Sequence, residues 1–389
     1  MKILILKPSS LGDIIQALPV LRLLKLHFRD AEIFWWVDPR FAPLLEGDPD
    51  LAGIILFQRE RWTSPLHWPE MVQSVQWMRA QHFDWVIDLQ GLLRSAIFGW
   101  LSCGGRLIGL DNPREGGREG AHVLYDVALG GSKENHAVGR YLSILPSLGV
   151  PTHMNFQWLP ERPTVAATVK AKWPQVVSAQ DPVLADKSRN ENQLSTAVPS
   201  PLPSDGRGEG HGDVRVSHTR WIAIQPGARW PTKCWPAQNF AEFVRLFAQK
   251  VPDARFAVMG GASDKPHGEI ISRAVPDRVL NLCGETTLPE MIEWLRRCRL
   301  MITNDTGPMH AAAALGVPVV ALFGPTDPRN SGPYGQLENV MRIDLPCSPC
   351  LKSYCRWKNS MECLTAISPE MVVEFAHERL EKSSTRLAQ

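Results

Sequence analysis

Asn304-Asp305-Thr306-Gly307-Pro308-Met309-His310, then Ala311-Ala312-Ala313-Ala314-Leu315-Gly316 and Val317-Pro318-Val319-Val320-Ala321-Leu322-Phe323, closing on Gly324-Pro325-Thr326-Asp327-Pro328, is the stretch from which the fold can be read. Residues 299–303 read as a buried strand, and Asp305 or Thr306 can cap the helix that follows. Gly316 ends that helix, and residues 317–323 read as the next parallel strand. Such a unit aims a helix N-terminus, with its unpaired N–H groups and positive dipole end, at the carboxyl edge of a sheet. That edge is where an α/β fold binds a diphosphate.

The same alternation recurs outward from this unit. In the first half, residues 3–6, 32–37 and 85–89 read as strands and a helix is expected from about 14 to 27; in the second half, 221–225, 255–259, 279–282, 300–303 and 317–323 read as strands. Strand and helix in alternation predict an α/β protein with one parallel sheet in each half. A chain of 389 residues also exceeds what one core usually supports. The expected domains are 1–170 and 219–367, joined by a disordered insert or linker over 178–218. Within that insert, residues 199–213 are dominated by Pro, Gly and Ser and offer little apolar surface to bury. Ser368-Pro369-Glu370 supplies cap, first-position proline and early acid for a C-terminal helix over 368–389, with Met371, Val372, Phe375 and Leu380 on its packing face.

Hydrophobic residues make up 44% of the chain, charged residues 21%, and the formal charge is +2, which argues against bulk nucleic-acid binding and leaves room for local basic patches. Residues 1–8 are too short in apolar character for a signal peptide, and no segment approaches ~20 uninterrupted apolar residues, so a cytoplasmic location is expected. Eight cysteines in such a chain read as thiols or metal ligands rather than a disulfide framework.

Several segments could carry chemistry. In Lys7-Pro8-Ser9-Ser10-Leu11-Gly12-Asp13, the small residues Ser10 and Gly12 let backbone approach a ligand, and Asp13 sits at a helix start, where simple capping competes with a functional role. The loop Gln225-Pro226-Gly227-Ala228-Arg229-Trp230-Pro231-Thr232-Lys233 places Lys233 at a strand's carboxyl end, where a cation can neutralise charge building on a leaving diphosphate. Gly260-Gly261-Ala262-Ser263-Asp264 puts an acid where a Rossmann-like domain holds ribose hydroxyls, with a simple turn as the alternative. Arg59, Arg61 beside Trp62, Arg94, Arg114, His136 and Arg140 form basic clusters suited to an anionic acceptor, although each alone reads as surface charge. Cys347, Cys350, Cys355 and Cys363 have the spacing C-x2-C-x4-C-x7-C, which favours a structural zinc or iron site over free thiols or a redox pair.

Taken together, residues 7–13, 88–95, 227–236, 260–264 and 304–328 resemble the ADP-heptose glycosyltransferases of lipopolysaccharide core assembly, glycosyltransferase family 9. The resemblance implies a GT-B fold: two Rossmann-like domains facing across a cleft, acceptor in the first, nucleotide sugar in the second, with a C-terminal helix packing back. It implies Asp13 as general base, Lys233 facing the diphosphate, and Ser10, Gly12, Arg229, Asp264, Asp305, Thr306, Gly307 and His310 around the donor, with Thr286 near the adenine. It also implies that Arg59, Arg61, Arg94, Arg114, His136 and Arg140 face acidic acceptor sugars. The chemistry so implied is inverting transfer of heptose from ADP-heptose to an inner-core acceptor, with no cofactor required for catalysis and no nucleic-acid partner. Arg61 and Trp62 could hold the enzyme weakly at the inner face of the membrane. Some relatives that modify proteins carry a cysteine-bound metal, and the long insert is a departure from the pattern. The alternatives are a nucleotide-sugar epimerase of similar fold, or a non-catalytic sugar-nucleotide binder or scaffold.

Overall fold

The computed structural model describes residues 1–111, 119–130, 136–180 and 220–387. Arg114 and most of the expected insert, from 181 onward, lie outside the described residues.

Each half holds one six-stranded, all-parallel sheet. The first consists of β1 (Lys2–Leu6), β2 (Glu32–Val37), β3 (Gly53–Leu56), β4 (Trp85–Asp88), β5 (Arg106–Asp111) and β6 (Val127–Gly130), in the order β3-β2-β1-β4-β5-β6. The second consists of β7 (Arg220–Gln225), β8 (Ala254–Val258), β9 (Val279–Asn281), β10 (Leu300–Asn304), β11 (Val319–Phe323) and β12 (Val340–Arg342), in the order β12-β11-β10-β7-β8-β9. Numbered within its own half, the second sheet repeats the first. Both have the doubly wound Rossmann order expected from the sequence.

The central strands form because they are apolar on both faces, which a sheet covered by helices on both sides requires. Their side chains divide by twos. Ile3 and Ile5 join a large core that runs across both halves, while Leu4 and Leu6 enter a separate core on the other face of the first sheet. Likewise Trp221 and Ala223 face the shared core, and Ile222 and Ile224 a core of the second half alone.

Helix α1 (Leu11–His27) begins three residues earlier than expected and is buried nearly all round, because it lies between its sheet and two other helices. Further helices used below are α2 (Trp68–Ala80), α3 (Leu93–Leu101), α4 (Ala137–Leu142), α5 (Pro163–Gln180), α6 (Ala237–Lys250), α7 (Leu288–Arg297), α8 (Gly307–Ala314) and α9 (Pro369–Leu387). Helix α5 runs past the expected boundary at 170 and contacts α7 of the second half, where Lys172 pairs with Glu290 at 2.5 Å.

Strands β3, β5, β6 and β12 were not expected. They are short outer strands whose apolar runs are broken by Gly or Arg. Helix α9 packs on α6 and on the second sheet, within its own half. Its buried residues are Val372, Val373, Ala376 and Leu380, with Phe375 partly buried; Met371, expected on this face, is exposed. Among the described residues no helix is long and apolar enough to cross a membrane.

Candidate active site

The strand order reverses beside β1 in the first sheet and beside β7 in the second, which is where an open α/β sheet binds its ligand. Four segments emerge there: 7–13 after β1, 88–91 after β4, 226–235 after β7 and 305–307 after β10.

Asp13 lies in the first turn of α1. Its Oδ2 accepts the Ser10 N–H at 2.9 Å and the Ser10 hydroxyl at 2.7 Å, so the capping role is real for one oxygen. Oδ1 receives only a long bond, 3.3 Å, from the Tyr141 hydroxyl of α4. Burial alone would raise this carboxyl, but the Lys7 charge, the two Ser10 bonds and His310 outweigh it and hold Asp13 below the usual aspartate value. Lys7 is itself buried, donates to the Leu89 carbonyl at 2.9 Å and stands 4.5 Å from the Tyr141 ring centre.

Lys233 ends a single turn, Pro231–Lys233, and its Nζ pairs with Asp305 Oδ2 at 2.7 Å. The same oxygen accepts the Thr326 hydroxyl at 2.7 Å. Asp305 therefore does not cap α8. Thr306 takes the N-cap position and makes no side-chain capping bond; Pro308 has no N–H and Met309 donates to the Thr306 carbonyl at 3.2 Å, so the first-turn N–H left for a ligand is that of Gly307. The Lys233 loop is fastened to β10 by Asn304, whose Nδ2 donates to the Pro226 carbonyl at 2.7 Å and whose Oδ1 accepts the Trp235 N–H at 3.0 Å.

The N-termini of α1 and α8 meet across the two halves. A Cβ on Gly12 would lie 2.4 Å from His310 Cδ2, and one on Gly307 would lie 2.8 Å from a methyl carbon of Leu11, so only glycine permits this approach. His310 is buried between them, its Nδ1 without a hydrogen-bond partner among the described residues. Burial lowers its pKa to about 4 despite the opposing pull of Asp305 and Asp13. Asp13 of the first half and Lys233 of the second both lie near enough to His310 to act on it electrostatically.

Beside this cluster lies a pocket of about 370 Å³ lined by Leu11 from the first half and, from the second, by Gln225, Arg229, Asp264, Thr286 and Thr306. Asp264 packs against Gly227 and accepts the Gly261 N–H at 2.9 Å. Of the expected donor residues, the pocket gathers Arg229, Asp264, Thr286 and Thr306, and the helix contact gathers Gly12, Gly307 and His310, with Ser10 bonded to Asp13 and Asp305 to Lys233.

The profile of glycosyltransferase family 9 (heptosyltransferase) matches residues 71–361, most of the chain. The chain belongs to glycosyltransferase family 9. This heptosyltransferase is 27% identical to lipopolysaccharide heptosyltransferase 1 of Pseudomonas aeruginosa, over 96% of each chain. Among solved structures it resembles E. coli ADP-heptose lps heptosyltransferase II, with a TM-score of 0.70, 22% identity, and coverage of 99% of this chain and 100% of that one. It also resembles E. coli heptosyltransferase WaaC with ADP, with a TM-score of 0.68, 22% identity, and coverage of 97% and 100%. The GT-B fold expected of the family is the fold observed.

In this heptosyltransferase the expected acceptor residues are spread more widely than the donor residues. Arg59 and Arg94 are exposed, and Arg61 is exposed and paired with Glu70 at 2.7 Å. His136 caps α4, and its Nε2 lies 3.0 Å from the Gly332 carbonyl, bridging the two halves rather than lining a pocket. Arg140 is buried in the last turn of α4. Trp62, expected at a membrane surface, is buried and stacks on Phe98 at 5.6 Å.

Cys347, Cys350, Cys355 and Cys363 line one cavity, and burial followed by the neighbouring thiols pushes Cys363 up to about 11. Yet among the described residues no three Cys, His, Asp or Glu side chains converge as metal ligands, so the arrangement seen here is not a closed tetrahedral site. The segment touches the Lys233 loop through the Thr232 hydroxyl, which donates to the Lys352 carbonyl at 2.8 Å, and is tied to the end of β11 by the Ser348 hydroxyl, which donates to the Gly324 carbonyl at 2.7 Å. Residues whose roles sequence reasoning missed are Lys7, Tyr141, Asn304 and Thr326. Each acts on a functional side chain through a tertiary contact, and only Asn304, Lys7 and Thr326 stand inside segments that were singled out.

Proposed function

We propose that this heptosyltransferase moves heptose from ADP-heptose to an inner-core lipopolysaccharide acceptor, inverting the anomeric carbon, at the cytoplasmic face of the inner membrane. The observation that carries the reading is that Asp13 of the first half and Lys233 of the second both act on His310, where the N-termini of α1 and α8 meet. The curated relative named above is a lipopolysaccharide heptosyltransferase, and the WaaC structure is named with ADP, which supports the donor.

A sugar hydroxyl is a weak nucleophile. Asp13, ionised and with Oδ1 held only loosely by Tyr141, accepts its proton as it attacks the anomeric carbon from the face opposite the departing ADP. The charge arriving on ADP meets Lys233, which must exchange its Asp305 partner for phosphate oxygens or share it, and the Gly307 N–H at the positive end of α8. In this scheme the cation and the helix end do the work a metal ion would do. His310 is neutral near physiological pH because burial disfavours its cation. Arg229, Asp264 and Thr286 line the pocket proposed for the nucleoside, with Asp264 near the ribose. Exposed Arg59, Arg61 and Arg94 are proposed for the acidic acceptor, while His136 and Arg140 support the cleft from α4.

The cysteine segment is proposed as a brace. Zinc or iron on its four thiols would require the segment to close, and elemental analysis of the purified protein tests this: metal-free protein with full activity would remove the idea. For the transfer itself, the test is mass spectrometry of acceptor incubated with ADP-heptose. One added heptose is expected, and hydrolysis or epimerisation of the donor with an unchanged acceptor would overturn the reading.

A further inference from the structure

Gln225 ends β7, the strand beside which the order of the second sheet reverses. It is only 4% exposed, and it lines the pocket shared by Arg229, Asp264 and Thr286. Its Nε2 donates to the Gly227 carbonyl at 3.5 Å, which decides how the amide faces: with nitrogen and oxygen exchanged, two carbonyl oxygens would oppose each other. Its Oε1 has no hydrogen-bond partner among the described residues. A buried amide oxygen gives up its water on folding, and left unpaired it costs stability that is recovered only when something donates to it. The transfer chemistry itself makes no use of this oxygen.

The chemistry of the missing partner follows from the place. An amide oxygen only accepts, so the partner is an O–H or N–H group, and the diphosphate of a nucleotide sugar offers neither. Gly227 stands between two hydrogen-bond acceptors. Its carbonyl meets the Gln225 amide, and a Cβ on it would lie 2.3 Å from Asp264 Oδ1, so a side chain at 227 would displace the carboxylate. Asp264 Oδ2 accepts the Gly261 N–H at 2.9 Å, which holds the carboxylate against that glycine. An amide oxygen and a carboxylate flanking one glycine are a pair of acceptors suited to the two adjacent hydroxyls of a ribose. The amide is held by a bond at the outer limit of length, so it can turn toward a hydroxyl as the nucleotide enters.

We infer that Gln225 is a nucleotide-binding residue whose Oε1 accepts a hydrogen bond from one ribose hydroxyl of the donor, beside the hydroxyl held by Asp264. That role rests on the proposed reading of this pocket as the nucleoside site. It makes Gln225 a determinant of the sugar in the nucleotide: ribose satisfies the buried oxygen, whereas a deoxyribose leaves it unpaired in the complex.

The test is calorimetric titration of the full chain with ADP, 2′-deoxy-ADP and 3′-deoxy-ADP, using wild type and Gln225→Met, a substitution of similar length that removes the amide. ADP should bind the variant about fivefold to tenfold more weakly than wild type, the loss of one hydrogen bond. One of the deoxy analogues should bind wild type and variant alike, because the hydroxyl that Gln225 holds is gone from it. Without ligand the variant should melt no lower than wild type, since it removes a buried oxygen that nothing satisfies. Equal affinity of wild type and variant for ADP overturns the inference and leaves the oxygen to a buried water, and absence of ADP binding by wild type overturns it too. An equal loss with all three nucleotides also overturns it, by making the side chain a packing element. Should Gln225→Met not fold, wild type alone decides: weaker binding of both analogues is expected, one loss for each acceptor, and undiminished binding of either overturns the pairing. Failure of the functional reading looks different: wild type would bind ADP with this dependence on ribose and yet transfer no heptose.

Discussion

At the scale of single residues, Asp13 divides its two oxygens between structure and chemistry. Oδ2 is committed to Ser10, and Oδ1 is the one left for a substrate proton. Asp13→Asn keeps the shape and most of the cap but cannot take a proton, so kcat should drop by about 10²–10⁴, measured by donor turnover on folded protein, and the melting temperature should fall because buried Lys7 loses its charge partner. The base works ionised, and its pKa lies below the ordinary value of 3.8, so the acid limb of kcat/KM should fall below that pH rather than near neutrality. Lys233→Ala should cost about 10²–10³ in kcat, the size seen when one preorganised partner of a developing anion is removed. His310 predicts a stability effect. Its folded pKa of about 4 lies below its ordinary 6.5, so between those values the unfolded chain binds a proton that the folded chain does not. Stability should therefore fall by up to about 3 kcal/mol as pH drops through that window, and His310→Gln should flatten the slope in denaturant titrations. Asp13 and Lys233 could be read from the sequence because each sits in a short segment after a strand. Tyr141 could not, since 128 residues separate it from the Asp13 it touches.

At the scale of elements, the site depends on two helix ends that touch. Gly12→Ala would drive a methyl group into His310, so the helices must part or the imidazole must move; a loss of about 1–3 kcal/mol is expected, together with loss of transfer. Asn304 fastens the Lys233 loop to β10, and Asn304→Ala leaves a buried N–H and a buried carbonyl without partners. Chemical denaturation should show a loss of roughly 2–4 kcal/mol. The central strands and α8 were legible because continuous apolar runs bounded by Gly and Pro have few other readings. Of the strands toward the sheet edges β9 was legible but β3, β5, β6 and β12 were not, since Gly or Arg interrupts their apolar runs and leaves no period that separates them from loop. The start of α1 was misjudged because Leu11 and Gly12 look like loop until Ser10 is seen closing on Asp13.

At the scale of the whole molecule, two sheets of the same order lie on one continuous core, and that arrangement sets Asp13 of one half and Lys233 of the other around His310. Part of the support is a buried ion cluster: Arg22 of α1 pairs with Asp48 at 2.5 Å and Asp50 at 2.6 Å, and donates to the Trp158 carbonyl at 3.1 Å. The next residue, Leu159, accepts from Arg296 of the second half at 2.5 Å. Removing Arg22 leaves Asp48 buried and unpaired, so Arg22→Ala should cost about 3–5 kcal/mol in global stability. The two-domain plan was legible from alternation of strand and helix, but the spread of His136 and Arg140 into the joint between halves was not, because basic residues look alike in sequence whether they face solvent, substrate or another domain. The central claim is tested most directly by incubating wild type and Asp13→Asn with ADP-heptose and a purified inner-core acceptor, with mass and anomeric configuration of the product read together. The account predicts one heptose added with inversion by wild type and almost none by the variant; retained configuration, or full transfer by Asp13→Asn, would contradict it.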